Sequence, residues 1–290
     1  MSNIQAYFLT KGTFCSLDLN AVAEEMKHPV KVVSNKSTLP TDPNILCIRW
    51  GCTSTIPQKK VVNKSSAIHE VFDKPSFRRK LYKQGLAPRL FGPTEIVEEE
   101  NLPVIVRPDK HTQGQHAYKC DSLSQLYSAV CKASAASPTG SYYISEYIDK
   151  VEEYRVFVVQ GRVVFMCRKI PKSINEVAWD FSDESLWQNT RWGKWPEAVC
   201  KIAIEAMSLT ELTCGGVDVI VDKQGKPYVL EINSASGFYG FYMVSCAAAA
   251  FDYILEKGKD NITVPLNKKT SWPYLKYIHP AIEPKAYIND

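Results

Sequence analysis

Between Gly216 and Asn233 the chain runs apolar and β-branched through Gly216-Val217-Asp218-Val219-Ile220-Val221-Asp222. It breaks at Lys223-Gln224-Gly225-Lys226 and runs apolar again through Pro227-Tyr228-Val229-Leu230-Glu231-Ile232-Asn233. Two strand-like runs joined by so short a polar turn read as an antiparallel hairpin. Centring the turn between Gln224 and Gly225 sets Asp218 opposite Glu231, and Asn233, two positions on, shares the face of Glu231. Two carboxylates and an amide, with no cation inside the motif, are a hard-oxygen donor set suited to Mg²⁺, with water and phosphate oxygens completing the octahedron. The same three residues would also serve as the polar end of an ordinary exposed hairpin, so the rest of the chain has to decide.

Upstream, short apolar runs at Ile4 to Leu9, Val30 to Val33 and Ile45 to Trp50 alternate with a helical stretch from Leu17 to Met26, which reads as a small α/β lobe. From Ala67 to Gln84 the spacing predicts a helix, ended by Pro88, Gly92 and Pro93 before the apolar run Val104 to Val106. Strand signals follow at Tyr142 to Ile148, Tyr154 to Val159 and Arg162 to Cys167, the last two joined by Gln160-Gly161, a pair suited to a tight hairpin. Pro196 stands where a helix would begin, and Val199, Ile202, Ala203, Ala206 and Met207 then keep one apolar face. The expected organisation is an N-terminal lobe over residues 1–66, a body over 67–260 with a lid lobe at about 88–148 and a C-terminal lobe at about 149–260, and a C-terminal arm over 261–290.

A chain of 290 residues with 45% hydrophobic and 23% charged residues sits among ordinary globular proteins and can bury a core spread over several lobes. A net charge of +4 gives no ground to expect nucleic-acid binding, though it suits an anionic small ligand. The nine cysteines are odd in number and contain no Cys-x-x-Cys pair, so they read as reduced thiols of a cytoplasmic protein. The longest apolar stretch, Cys246 to Phe251, is too short for a bilayer, and no membrane partner is expected.

Gly216-Val217-Asp218 followed by Glu231-Ile232-Asn233-Ser234-Ala235-Ser236-Gly237 is similar to the terminal metal motif of the ATP-grasp superfamily, and especially of its RimK-type glutamate ligases. The likeness extends back to about residue 61. Val61-Val62-Asn63 with Asp73-Lys74 looks like the family's opening segment, Val104 to Pro108 with Thr112-Gln113-Gly114 like its phosphate strand and glycine-rich lid, and Tyr143 to Ile148 like its adenine linker. Glu153-Tyr154-Arg155 resembles the family's Asp-x-Arg, and Gln188-Asn189 with Gly193 the segment that carries an Asn to the phosphates. Arg107 stands where the family has lysine, His111 and His116 where it has glycine, and Trp192 where it has arginine.

The resemblance implies an α/β (α+β) ATP-grasp fold with ATP between lid and C-terminal lobes. Two Mg²⁺ ions, with Mn²⁺ as the alternative, would be held by Asp218, Glu231 and Asn233. Lys74, Arg107, Gln113 and Gly114 fall at its phosphate contacts, Glu146, Tyr147 and Ile148 at the adenine, Glu153 at the ribose, and Gln188 and Asn189 at phosphate and metal. Arg155 and Arg168 would stabilise the reacting centre, Arg168 as the preferred oxyanion group. The implied activity is an ATP-dependent, ADP-forming carboxylate–amine ligase that joins an amino acid to an amino acid, peptide or protein through an acyl phosphate. Related ligases also occur in bacteriophages, which keeps a second reading open, the modification of nucleic acid by an amino acid. A third is a non-catalytic nucleotide-binding protein on the same scaffold, suggested by Arg107, His111, His116 and Trp192. A homo-oligomer is compatible with all three.

Overall fold

The computed structural model describes residues 4–12, 16–34, 36–110, 116–171, 179, 186–190, 194–238, 240–262 and 277–282. In chain order the strands are β1 Ala6–Thr10, β2 Val30–Val33, β3 Leu46–Trp50, β4 Val61–Val62, β5 Val104–Pro108, β6 Tyr118–Cys120, β7 Tyr142–Glu146, β8 Lys150–Val159, β9 Arg162–Ile170, β10 Leu186–Asn189, β11 Cys214–Asp222 and β12 Pro227–Asn233. The helices are α1 Ser16–Glu25, α2 Ser65–Phe72, α3 Lys74–Lys83, α4 Leu123–Ala136, α5 Glu197–Ser208 and α6 Phe241–Lys257. None of the described helices is long and apolar enough to cross a membrane.

Three sheets result among the described residues. The first is parallel, in the order β2-β1-β3-β4, as expected where a helix returns the chain between strands. The second, β6-β5-β7, is antiparallel and packs on α4. The third is a five-stranded antiparallel sheet, β10-β9-β8-β11-β12. The first and third share one apolar core, with Trp50 packed on Phe157, Phe238 and Phe251 at ring separations of 6.1, 5.3 and 6.1 Å. The middle sheet has its own small core around Val104, Val106, Leu126 and Ala133. Residues 104–146 therefore form a lobe that packs internally, while the N-terminal lobe is joined to the main sheet.

Asn63 makes part of that joint. In the left-handed region at φ 61° and buried, it donates from Nδ2 to Cys214 O at 3.0 Å and accepts from Thr213 N and Cys214 N at 2.9 and 3.0 Å. A side-chain amide can replace a strand partner in this way because it carries both donors and an acceptor.

The single helix expected from Ala67 to Gln84 is two. The break falls at Asp73, whose carboxylate accepts from Ser76 N at 3.3 Å, with Pro75 in the first turn of α3. The break places Lys74 at the start of α3. Gln160 and Gly161 both adopt positive φ, 49° and 69°, which makes the tight hairpin expected between β8 and β9. Pro196 caps α5 and does not begin it, and Val199, Ile202, Ala203, Ala206 and Met207 are all buried. Of the expected C-terminal arm, the described residues 277–282 lie along β9, where His279 N donates to Val163 O at 2.9 Å.

Candidate active site

The β11–β12 turn is a three-residue loop closed by Asp222 N to Lys226 O at 3.0 Å, with Gly225 at φ 80°. Taken alone that turn would set Asp218 against Leu230. A bulge after Val219–Val229 inserts Leu230 and restores the pair Asp218–Glu231. The turn therefore differs from the one the sequence suggests, and the facing carboxylates are nevertheless the expected two. Asn233 Nδ2 donates to Glu231 Oε1 at 3.1 Å and lies 3.4 Å from Asp218 Oδ2.

Each carboxylate also meets a cation from a different element. Arg155 of β8 makes a bidentate contact to Asp218, Nε to Oδ1 at 2.7 Å and Nη2 to Oδ2 at 2.8 Å. Lys74 of α3 reaches Glu231 Oε2 at 2.8 Å. Burial pushes the Asp218 carboxyl upward, with Glu231 adding to it and Arg155 pulling the other way. Burial acts likewise on Glu231, but Lys74, Asn233 and Arg78 outweigh it and hold that carboxyl far below its ordinary value.

The neighbouring part of the same face is denser in cations than the sequence suggests. Glu153, buried, bonds Lys150 and also takes Lys169 Nζ on Oε1 at 3.2 Å. Instead of lying open as a ribose contact, Glu153 turns inward as the shared anchor of two lysines, which hold its carboxyl low against the effect of burial. Trp187 of β10 lies over both Arg155 and Lys169, at 4.7 and 5.4 Å from the ring centroid. Arg107 of β5, buried in the lobe of the middle sheet, faces this cluster. Burial pushes its guanidinium down, Arg78 adds to that, and Tyr143 and Glu231 oppose it.

Two expected residues lie on the other side of the sheet. Cross-strand partners share a face, so Glu153–Lys169–Trp187 and Arg155–Cys167–Asn189 form rows on the inner face, and Tyr154–Arg168–Gln188 a row on the outer one. Arg168 pairs there with Glu152 at 3.3 Å, 44% of its side chain exposed. Neither Arg168 nor Gln188 joins the carboxylates. The reason is a bulge at Val164: an unbroken hairpin about Gln160-Gly161 would oppose Glu153 with Arg168, whereas the extra residue moves Lys169 into that position. Asn189 does face inward, with Oδ1 3.6 Å from Cys167 Sγ.

Of the residues expected at an adenine, Glu146 Oε2 accepts from Arg89 N at 3.1 Å, Tyr147 packs under Lys119 Nζ at 4.8 Å, and Ile148 O accepts from Lys150 N at 2.9 Å. Gln113 and Gly114, like His111, Trp192 and Gly193, lie outside the described residues. The residues absent from the sequence reading are Arg78, Lys150, Lys169 and Trp187. Arg78 was signalled by its i+4 spacing from Lys74 on one helix face.

Among the described residues, Lys74, Arg78, Arg107, Lys150, Arg155 and Lys169 thus surround only Glu153, Asp218 and Glu231. Six cations against three carboxylates suit a polyanion. No group of three or more His, Cys, Asp or Glu side chains is placed to hold a metal among the described residues. A divalent ion at this hairpin would need the Asn233 amide as third protein donor, and two carboxylates with an amide oxygen fit Mg²⁺.

Residues 80–255 match the RimK-like ATP-grasp domain. The chain is 28% identical over 195 residues to a D-alanine–D-alanine ligase of Cupriavidus metallidurans, covering 61% of this chain and 58% of that protein. It spans less than two thirds of the length of each of the curated relatives it matches. In structure it is similar to the D-alanine–D-alanine ligase of Bacillus anthracis, at TM-score 0.64 and 16% identity over 88% of this chain and 97% of that one. It is similar also to the ATP-grasp ligase PsnB complexed with minimal precursor, at TM-score 0.61 and 15% identity over 87% and 99%. The domain match takes in the hairpin, strand β5 and four of the six cations, Arg107, Lys150, Arg155 and Lys169, and on it the chain belongs to the RimK-like ATP-grasp family.

Proposed function

We propose that this protein is an ATP-dependent ligase that joins a carboxylate to an amine through an acyl phosphate, with ADP and inorganic phosphate as the other products. The observation that carries the reading is the inner-face cluster, an excess of cations set around two carboxylates and an amide between the lid lobe and the main sheet. A free carboxylate resists attack by an amine, because attack adds charge to an anion and must expel oxide. Transfer of the γ-phosphoryl group of ATP forms an oxygen–phosphorus bond on the carboxylate and releases ADP. The amine then attacks the acyl carbon, loses a proton, and displaces phosphate.

Lys74, Arg107, Lys150 and Lys169 hold the polyphosphate in this reading, and Trp187 keeps Arg155 and Lys169 aligned beside it. Arg155 takes the oxyanion role, since of the two arginines expected at the reacting centre it is the one on the carboxylate face. Mg²⁺ bound by Asp218, Glu231 and Asn233 would supply charge neutralisation to the migrating phosphoryl group. Glu146, Tyr147 and Ile148 form the adenine linker. No enzyme nucleophile is required, and the thiol on this face is unsuited to be one, because burial pushes Cys167 up to about 12.

The resemblance to D-alanine–D-alanine ligases and to a precursor-bound ATP-grasp ligase supports an amino-acid or peptide carboxylate and an amino-acid amine. The test is phosphate release from ATP and Mg²⁺ with pooled amino acids, peptides and cell extract, with products read by mass spectrometry. A product whose mass equals acid plus amine minus water, formed with ADP, is expected. Absence of any nucleotide-dependent product across the pool would remove the ligase assignment.

A further inference from the structure

Both carboxylates of the hairpin are engaged by the chain's own cations. Arg155 covers both oxygens of Asp218, at 2.7 and 2.8 Å, and Lys74 takes Glu231 Oε2 at 2.8 Å. Asn233 turns its amide N–H, and not its carbonyl oxygen, toward the pair. Lys74 is assigned above to the polyphosphate, and Arg155 to the reacting oxyanion beside it. One set of positive charges thus has two competing sets of anionic oxygens to satisfy, those of the protein and those of a polyphosphate.

We propose that Lys74 and Arg155 act as counter-ions that close the hairpin to a bare divalent cation, so that the site admits the metal only together with a polyphosphate. The inference rests on the proposed nucleotide site and deepens it. A lone Mg²⁺ or Mn²⁺ must displace an ammonium and a bidentate guanidinium from these carboxylates, and it brings a dication beside Arg78 and Lys169 without bringing any anion. A nucleotide arriving with the metal supplies acceptors for both displaced cations. Asn233 is then released from its two carboxylate contacts and can present its oxygen. Linkage requires the effect to be mutual: whatever factor the nucleotide adds to metal affinity, the metal adds to nucleotide affinity.

A consequence runs against ordinary expectation. Removing the charge of Lys74 should weaken nucleotide binding and strengthen binding of free metal. Lys74 is at the start of a helix and its side chain is only partly buried, so it can be replaced without opening the core. The experiment titrates Mn²⁺ into the full chain by electron paramagnetic resonance, which reads the free aqueous ion, with and without a non-hydrolysable ATP analogue. For the parent protein, the analogue should tighten Mn²⁺ by about 5- to 150-fold, in the usual range of coupling between sites. For Lys74→Gln without nucleotide, Mn²⁺ should bind about tenfold tighter than to the parent, and Lys74→Arg should restore the parental value. Circular dichroism of each variant confirms that the fold is retained. Should Lys74→Gln misfold, Arg155→Gln serves as the second variant with the same expected tightening. Parental Mn²⁺ binding that is equally tight with and without the analogue, or free-metal affinity unchanged in both Gln variants, would overturn the counter-ion role and leave the nucleotide site standing. A parent that binds neither the analogue nor Mn²⁺ in its presence would instead remove the proposed function, and the inference with it.

Discussion

The hairpins β8–β9 and β11–β12 are built alike. Each begins from a tight turn with positive-φ residues, and each inserts one bulged residue, Val164 or Leu230, before the strands reach the charged end. They differ in what the bulge does to the pattern of side chains. In β11–β12 the bulge offsets a three-residue loop, so Asp218 meets Glu231. In β8–β9 the turn is the short one, and the bulge shifts the partner of Glu153 from Arg168 to Lys169. A single inserted residue decides which of two adjacent cations enters the cluster and which faces outward, because side-chain direction alternates along a strand. Physical consequences follow from the face. Glu153 and Lys169 are buried in a network, whereas Glu152 and Arg168 form a partly exposed pair of the kind worth little.

Substitution within the β11–β12 pair should have the largest effect. Glu231→Gln keeps shape and removes an anionic ligand at the step where phosphoryl charge moves, which is expected to lower ATP-dependent turnover by roughly 10²- to 10³-fold. The Lys74 contact is also weakened, so the variant should lose about 1–3 kcal/mol of stability while remaining folded. Steady-state kinetics with thermal melting measures both. Parental turnover in the Gln variant would show that this hairpin is not a metal site.

The β8–β9 hairpin is tested by Lys169→Ala, where loss of a charged contact to phosphate should lower kcat/KM for ATP by about 10- to 100-fold. The variant removes Lys169 from Glu153, which keeps Lys150, and from Trp187, which keeps Arg155. Intrinsic fluorescence provides a second readout, since Trp187 should report nucleotide binding in the parent and report it less in the variant. An unchanged kcat/KM would mean that the row Glu153–Lys169–Trp187 is structural.

A third contrast on β9 concerns burial with and without an ionic partner. Glu153 is buried with two lysines and stays ionised. His279 is fully buried against the other end of β9 with neutral partners, Nδ1 accepting from Ala281 N and Nε2 3.2 Å from Gln160 Oε1. Burial, with Arg162 nearby, lowers its pKa to about 3. The folded state thus holds the neutral ring, and the unfolded state takes up a proton below about 6.5. Stability from this residue is present above that pH and is lost as pH falls from about 6.5 toward 3, by at most about 1.4 kcal/mol per pH unit. His279→Asn, which cannot titrate, should flatten that part of the denaturation profile. An identical slope in parent and variant would place the acid sensitivity elsewhere.

Much of the fold was legible because hydrophobic period and turn chemistry act locally. The apolar face of α5, the Gln160-Gly161 turn and the strands of the first sheet all follow from residues close in sequence. The division of α2 from α3 was written in Asp73 and Pro75, where the periodic pattern hid it. The carboxylate pair was legible because the loop and the bulge cancel. Lys150, Lys169 and Trp187 were not, since a bulge depends on packing across several strands and leaves no fixed local sign. The order of motifs along the chain was informative about family and much less so about which face each residue takes.

Arg168 gives the smallest expected effect and the sharpest check on that last point. Its chain neighbour Lys169 belongs to the cluster, so any influence of sequence position alone would affect both residues. Arg168→Ala removes a partly exposed contact to Glu152 at 3.3 Å and leaves Tyr154 Oη bonded to the same carboxylate at 2.9 Å. Stability should change by no more than about 0.5 kcal/mol, and kcat/KM for ATP by less than about twofold. High salt, which screens exposed pairs, should bring parent and variant closer still. If Arg168→Ala instead lost activity on the scale of Lys169→Ala, with KM for ATP unchanged and kcat reduced, Arg168 would have to reach the reacting carboxylate, and the assignment of the oxyanion role to Arg155 would fall.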